Sequence, residues 1–168
     1  MIRRYFLSLA LGAALTACSE TNSAPDATYY LVRHAEKTKD KKDPALTEAG
    51  MQRAQDLAAR LKDVPLTKIY SSDYIRTRDT AAPLAAAKGF NVKIYNPRDL
   101  EGLSERLLNE TGHIVVVGHS NTTPELSQLL GGESGPPIVE ATEYDRLYIL
   151  ERYSGDVSGD ILRYGEKS

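Results

Sequence analysis

The chain holds a single cysteine, Cys18, three histidines and no tryptophan in 168 residues. One thiol cannot close an internal disulfide, and dispersed histidines without cysteine partners argue against a zinc site. The sequence has no G-x-x-x-x-G-K-[ST] loop, which excludes nucleotide hydrolysis of the P-loop kind. Positive charge is not in excess either, with 21 Lys and Arg facing 23 Asp and Glu, and no basic or aromatic-basic stripe runs along the chain. Nucleic acid is therefore not an expected partner. The mostly apolar run from Tyr5 to Ala17 is shorter than the ~20 residues that a membrane span requires. Ser72 and Ser120 lie in no G-x-S-x-G elbow, so neither has the context of a serine nucleophile.

What the N-terminus does contain is Arg3 and Arg4, then that apolar run, then Leu15-Thr16-Ala17-Cys18. Charge followed by an apolar stretch is the layout of a secretory signal. It resembles a bacterial lipoprotein signal, which implies cleavage before Cys18 and lipidation of its thiol, and two or more membrane signals are enough for stable anchoring. The expected organisation is a signal peptide over 1–17, a small polar tether over 18–27 and one domain over 28–168. The expected location is the bacterial envelope, exported and lipid-anchored through Cys18 on the periplasmic side. Removal of 1–17 leaves 19 basic against 23 acidic side chains. The densest positive run, Lys37 to Lys42, reads as a solvated loop whose position directly after His34 also suits the attraction of an anion.

From Thr28 onward, strand and helix patterns alternate. Tyr29–Val32, Leu66–Tyr70, Asn91–Tyr95 and Ile114–Val117 read as strands, the last apolar on both faces and therefore central. Thr47 caps a first helix whose face is Met51, Ala54, Leu57, Ala58 and Leu61. Ser72 or Asp73 caps a second helix running towards Lys88 and disturbed at Pro83, Asp99–Glu110 forms a third, and Thr123–Leu130 a fourth. Arg146–Leu150 and an edge segment at Ile161–Tyr164 complete the strands. This alternation predicts an α/β fold, a three-layer α/β/α sandwich with a mostly parallel central sheet. Ligands of such sheets bind beyond the carboxyl ends of the strands.

Three of those ends carry unusual polar residues: Arg33-His34, then Ser71-Ser72 leading to Arg76-Thr77, then Gly118-His119-Ser120. A parallel sheet would bring two arginines and two histidines to one edge. Guanidinium groups suit a dianionic phosphoryl group. A histidine beside them keeps a low pKa and an unprotonated nitrogen, so it can act as a nucleophile. A leaving alkoxide also needs a proton, and Glu101, Asp99, Glu105 and Glu36 are all candidates to supply it.

Four motifs carry a resemblance: V-R-H-A-E at Val32–Glu36, L-T-E-A-G at Leu46–Gly50, S-S-D-Y-I-R-T at Ser71–Thr77 with Thr80-Ala81 beyond, and V-V-G-H-S at Val116–Ser120. Together they resemble the histidine phosphatases, the superfamily that includes the cofactor-dependent phosphoglycerate mutases, and in particular its small phosphohistidine-phosphatase-like members. The resemblance implies a phosphoglycerate-mutase-like fold and a metal-independent phosphoric monoester hydrolase of the acid phosphatase kind, with no cofactor. It makes His34 the phosphorylated nucleophile and Arg33, Arg76 and His119 the rest of the phosphate pocket, with Glu101 as proton donor ahead of Asp99 and Glu36. Asn121 either binds substrate or caps the following helix. The expected substrate is a phosphomonoester or phosphohistidine, borne by a small molecule or an envelope component, and the expected state is a monomer. A non-catalytic envelope protein that binds phosphorylated ligands is the competing expectation, and a mutase is less favoured because the segments between the motifs are short.

Overall fold

The computed structural model describes residues 24–40 and 42–167, so Cys18 and the expected signal lie outside the described residues. Six strands and four helices follow one another as β1 (Ala27–Arg33), α1 (Glu48–Arg60), β2 (Leu66–Ser72), α2 (Ile75–Lys88), β3 (Lys93–Tyr95), α3 (Leu100–Leu108), β4 (Gly112–Gly118), α4 (Thr122–Leu129), β5 (Arg146–Tyr153) and β6 (Asp156–Arg163). They form one sheet in the order β3-β2-β4-β1-β5-β6. β3, β2, β4 and β1 run parallel, while β5 and β6 are antiparallel additions on the β1 side. The architecture is thus α/β with a mixed, mainly parallel sheet.

Alternation along the two inner strands sets the layers, because successive side chains of a strand point to opposite faces. Tyr29 and Leu31 of β1 and Ile114 and Val116 of β4 pack with Leu103 and Leu107 of α3 and Leu126 of α4. Tyr30, Val32, Val115 and Val117 point the other way and pack with Leu57 of α1 and Ala81 and Leu84 of α2. The unbroken apolar run at Ile114–Val117 is explained by this burial on both faces.

Local chemistry departs from expectation at three helices. In α1, Thr47 caps as expected by accepting the Gly50 N–H at 3.1 Å, but Met51 is 56% exposed. The neighbouring Gly50 takes the inward contact instead, and a Cβ there would stand 2.2 Å from the Glu36 carbonyl oxygen. In α2, neither Ser72 nor Asp73 caps. Tyr74 occupies the N-cap without a side-chain bond, and the Asp43 carboxylate from the loop between β1 and α1 accepts the Ile75 N–H at 3.1 Å. α2 also continues through Pro83, held onto the sheet by Ala81, Leu84 and Ala85. In α3, Asp99 caps by accepting the Gly102 N–H at 3.0 Å, which turns Leu100, Leu103 and Leu107 inward and leaves Glu101 exposed. No helix among the described residues is long and apolar enough to cross a membrane.

Candidate active site

β1, β2 and β4 are adjacent and parallel, so their carboxyl ends share one edge, and the register aligns Arg33 with Gly118 and Ser71 with Val117. The three polar strand ends therefore converge. A cavity of about 410 Å³ at this edge is lined by His34, Arg76, His119 and Asn121, with Tyr74, Lys37, Arg98 and Glu140 among the other lining residues. A larger depression of about 560 Å³ lies between α1 and the C-terminus, where four carboxylates, Glu36, Glu48, Asp56 and Glu166, outnumber the cations Arg53 and Lys167 and disfavour an oxyanion.

His34 is 3% exposed. Its Nδ1 lies 2.8 Å from the Ala35 carbonyl oxygen, and because a carbonyl only accepts, Nδ1 carries the proton and Nε2 keeps its lone pair. Burial pushes the His34 pKa down to about 3, with the positive charges of Arg33 and Arg76 adding to the shift and the Ala35 bond opposing it. The imidazole is therefore neutral at physiological pH, as an attacking nitrogen requires. The His34 N–H donates to the Gly118 carbonyl at 3.0 Å, tying the end of β1 to the end of β4.

His119 packs edge-on to His34 with ring centroids 5.6 Å apart. Its Nε2 lies 2.8 Å from Ser72 Oγ, while its Nδ1 faces Arg76 Nη2 at 3.4 Å. A guanidinium only donates, so Nδ1 is the acceptor and Nε2–H donates to Ser72. Ser72 passes the chain on to Thr77 Oγ1 at 3.1 Å, and Thr77 donates to the Ser72 carbonyl at 2.8 Å. Burial, then Arg76 and Arg33, hold the His119 pKa down at about 4.

The two arginines are held differently. Arg33 is 1% exposed, with Nη1 donating to the Glu143 carbonyl and Nη2 to the Glu140 carbonyl, each at 2.7 Å, and its guanidinium 4.1 Å from the centre of the Tyr144 ring. The fork expected to face substrate is thus partly committed to the segment before β5, and burial lowers the Arg33 pKa. Arg76 stacks on Tyr74 at 4.4 Å and pairs with Asp43 at 3.5 Å. The Nε atoms of both arginines are buried without an acceptor, a state that costs about 1–3 kcal/mol per group unless something binds.

The L-T-E-A-G motif and the residue after it support this centre from behind. Thr47 N–H donates to the Glu36 carbonyl at 2.9 Å, Gly50 permits the close approach, and Arg53 grips the Glu36 carboxylate through Nε at 2.9 Å and Nη2 at 2.7 Å. Glu36 is therefore committed to Arg53. Glu101 and Asp99 line an adjoining cavity that shares Pro97, Arg98, Asn121 and Thr122 with the first, and neither lines the cavity that holds His34. Glu140 does, and sequence reasoning missed it because the segment before β5 matches none of the four motifs. Asn121 stands at the N-cap of α4 but makes no capping bond with its side chain.

The chain is similar in sequence and in fold to known proteins. Residues 29–111 match the Histidine phosphatase superfamily (branch 1). The chain is 40% identical over 76 residues to the "Probable phosphoglycerate mutase GpmB" of Erwinia tasmaniensis, covering 41% of this chain and 35% of that protein. Across the first such relatives the chain spans between 35% and 44% of their length. Its fold is shared with the protein histidine phosphatase SixA, a structure complexed with tungstate, at TM-score 0.68 and 16% identity over 81% of this chain and 96% of that one. It is shared also with the mycobacterial glucosyl-3-phosphoglycerate phosphatase Rv2419c, at TM-score 0.63 and 15% identity over 84% and 99%. The segment over residues 29–111, with three of the four motifs, is thus similar to the histidine phosphatase superfamily, branch 1, and the described residues share the fold of two solved phosphatases.

Proposed function

We propose that the protein is a phosphatase that hydrolyses phosphomonoesters, or phosphohistidine, through a phosphohistidine intermediate on His34. The observation that carries this reading is a buried, neutral His34 with its Nε2 lone pair free beside two arginines with unsatisfied Nε donors. In the first step His34 Nε2 attacks phosphorus, the bond to the leaving oxygen breaks in line, and a carboxyl group hands that oxygen a proton. In the second, water attacks phospho-His34, the same carboxylate takes the water's proton, and the P–N bond breaks to release phosphate and restore His34. Arg33, Arg76 and His119 neutralise the phosphoryl oxygens, and Asn121 adds a donor.

Glu140 is the carboxyl group we assign to proton transfer, since it lines the cavity with His34 whereas Glu101 and Asp99 line the adjoining one. That absence of the expected acid is also the observation favouring the competing reading, a non-catalytic protein that binds phosphorylated ligands. We further propose, on the sequence alone, that Cys18 is lipidated and holds the domain at the envelope surface. Hydrolysis of an aryl phosphate by the soluble domain, compared with His34→Ala and followed by trapping of the acid-labile phosphoenzyme, tests the enzyme reading. Turnover that survives His34→Ala, or no turnover by the unsubstituted protein, overturns it.

A further inference from the structure

Arg33 does not line the cavity that holds His34. It is 1% exposed, and one N–H of each Nη is committed to the carbonyls of Glu140 and Glu143. Those carbonyls belong to a stretch, 131–145, that contains no helix or strand. Ile138 and Tyr144 are its only buried apolar side chains, and neither joins the apolar clusters on the two faces of the sheet. A segment so thinly packed gains little from apolar burial to hold it in one shape. Polar contacts must aim its carbonyls instead.

The Glu143 carboxylate supplies them. Its Oε1 accepts Arg146 Nε at 2.9 Å and Arg146 Nη2 at 2.5 Å, and also Arg163 Nη1 at 2.8 Å. Its Oε2 accepts the Val139 N–H at 3.0 Å, while the Val139 carbonyl accepts the Glu143 N–H at 2.8 Å. These two bonds between Val139 and Glu143 close a turn that contains Glu140. Arg146 and Arg163 pair across β5 and β6, so the carboxylate fastens the closed turn to the sheet. Arg146 also donates to the Pro136 carbonyl at 2.7 Å, and the Tyr148 hydroxyl donates to the Ser134 carbonyl at 2.7 Å, which pins the chain ahead of the turn. Glu143 and Arg146 are both buried, so salt screens their pairing little. Against the cost of burial, the Val139 N–H and the Arg146 and Arg163 guanidiniums hold the Glu143 carboxyl below the usual carboxylate range, and it stays charged at neutral pH.

We infer that Glu143 is a positioning residue for the reaction centre: its carboxylate holds the 139–143 turn in the shape whose carbonyls seat Arg33. This rests on the phosphatase reading above and adds to it a residue outside the cavity. The contacts from Glu143 to the nucleophile of that reading are continuous. Glu143 shapes the turn, two carbonyls of the turn fix the Arg33 guanidinium 4.1 Å from the centre of the Tyr144 ring, and that ring stands 6.1 Å from the His34 imidazole. With both Nη atoms held, the orphaned Nε and the positive charge of Arg33 keep one placement. A turn released from its clamp lets the guanidinium follow the carbonyls, and charge aimed at an oxyanion loses its aim.

The test is a double-mutant cycle in the full chain between Glu143→Gln and Arg33→Lys, which keeps the charge of Arg33 and loses its fork. Tungstate affinity and kcat/KM for an aryl phosphate are the readouts. Glu143→Gln should lower both by roughly tenfold on its own and by about twofold or less in the Arg33→Lys background, because residues that act as one unit do not add. Arg163→Gln removes only the half-exposed arm of the clamp and should show the same dependence at smaller size, which keeps the cycle readable if Glu143→Gln fails to fold. A third readout needs no ligand: the Arg33 Nε–H NMR signal, assigned by its absence in Arg33→Lys, should exchange faster with solvent in Glu143→Gln or Arg163→Gln. Equal factors in both backgrounds, or an unchanged Arg33 signal, overturn the positioning role while the phosphatase reading stands. Loss of the Arg33 signal in a chain that hydrolyses no phosphate ester would keep the Glu143 clamp and overturn the phosphatase reading.

Discussion

Thr80 Oγ1 accepts the Ala35 N–H at 2.9 Å and donates to the Arg76 carbonyl at 2.7 Å. One fully buried hydroxyl thereby fixes the peptide after His34 against the helix that carries Arg76. Thr80→Val keeps the shape but leaves the buried Ala35 N–H unpaired, which should lower stability by about 1–3 kcal/mol. Because it loosens His34 relative to Arg76, kcat should drop by roughly tenfold or more while KM changes less. Urea unfolding and steady-state hydrolysis of an aryl phosphate check both, and Thr80→Ser should recover most of each loss. A Thr80→Val protein with full kcat removes the positioning role.

His119 offers its Nδ1 lone pair to Arg76 in the free site, yet an oxyanion needs donors. With a pKa held at about 4, His119 is neutral at about pH 7, and a bound dianion raises that pKa by opposite charge. Binding of tungstate should therefore take up a proton, visible as a binding enthalpy that depends on the ionisation heat of the buffer. Affinity should weaken as pH rises. Heat independent of buffer would mean that His119 instead changes tautomer or stays out of the contact.

The same imidazoles set a pH dependence of stability. The His34 pKa is about 3 when folded and about 6.5 in an unfolded chain, so below about pH 6.5 the unfolded state binds more protons. Folding stability from this residue is thus complete above that pH. It should decline by up to about 1.4 kcal/mol per pH unit as pH falls towards the folded value. His34→Gln should flatten this part of the profile in denaturation measured at several pH values. An equal slope in both proteins would place the titrating group elsewhere.

Sequence reading made the sheet edge legible because each polar strand end interrupts an apolar run, and parallel pairing then forces Arg33-His34, Ser72 and His119 together. It did not reveal Glu140 or the seating of Arg33. Both depend on backbone carbonyls of the irregular segment before β5, and carbonyls leave no signature in side-chain type. The start of α2 failed for a related reason: the cap comes from Asp43, more than thirty residues upstream, where no local pattern points to it. Glu101 looked suitable by position after β3, but the Asp99 cap fixes the phase of α3 and turns Glu101 outward.

The pairing of Glu36 with Arg53 joins the loop after His34 to α1, and Arg53 Nη1 also donates to the Tyr164 carbonyl at 3.1 Å and the Glu166 carbonyl at 3.0 Å. Arg53 is 5% exposed, so Glu36→Gln leaves a buried guanidinium without its counter-charge. Such losses cost about 3–5 kcal/mol in a dry interior, and less here because the Glu36 side chain is 20% exposed. Thermal unfolding of Glu36→Gln and Arg53→Met should show a clear fall in Tm. With Glu36 tied to Arg53 and acting as a positioning residue under the proposed mechanism, activity measured well below Tm should fall to a similar degree with aryl and alkyl esters. A loss confined to alkyl esters would instead make Glu36 the acid.

The proposed lipidation of Cys18 predicts that Cys18→Ser abolishes acylation and moves the protein from the membrane fraction to the soluble fraction of a bacterial host. An unchanged membrane fraction refutes the tether and leaves the folded domain's chemistry untouched.

The assignment of the acid turns on the leaving group. An aryl oxide departs with little need of a proton, whereas an alkoxide cannot leave without one, so loss of the true acid penalises alkyl esters far more. Glu140→Gln should cost roughly 10²–10⁴-fold in kcat on an alkyl phosphate, the usual range for general acid catalysis, and much less on an aryl phosphate. The change keeps the Glu140 backbone, whose carbonyl holds Arg33, so binding of the phosphoryl group should persist. Glu101→Gln, exposed in the first turn of α3, should leave the alkyl-to-aryl ratio unaltered. The reverse pattern, with Glu101→Gln selective and Glu140→Gln silent, would mean that substrate binding draws the adjoining cavity into the reaction and that the proton comes from α3.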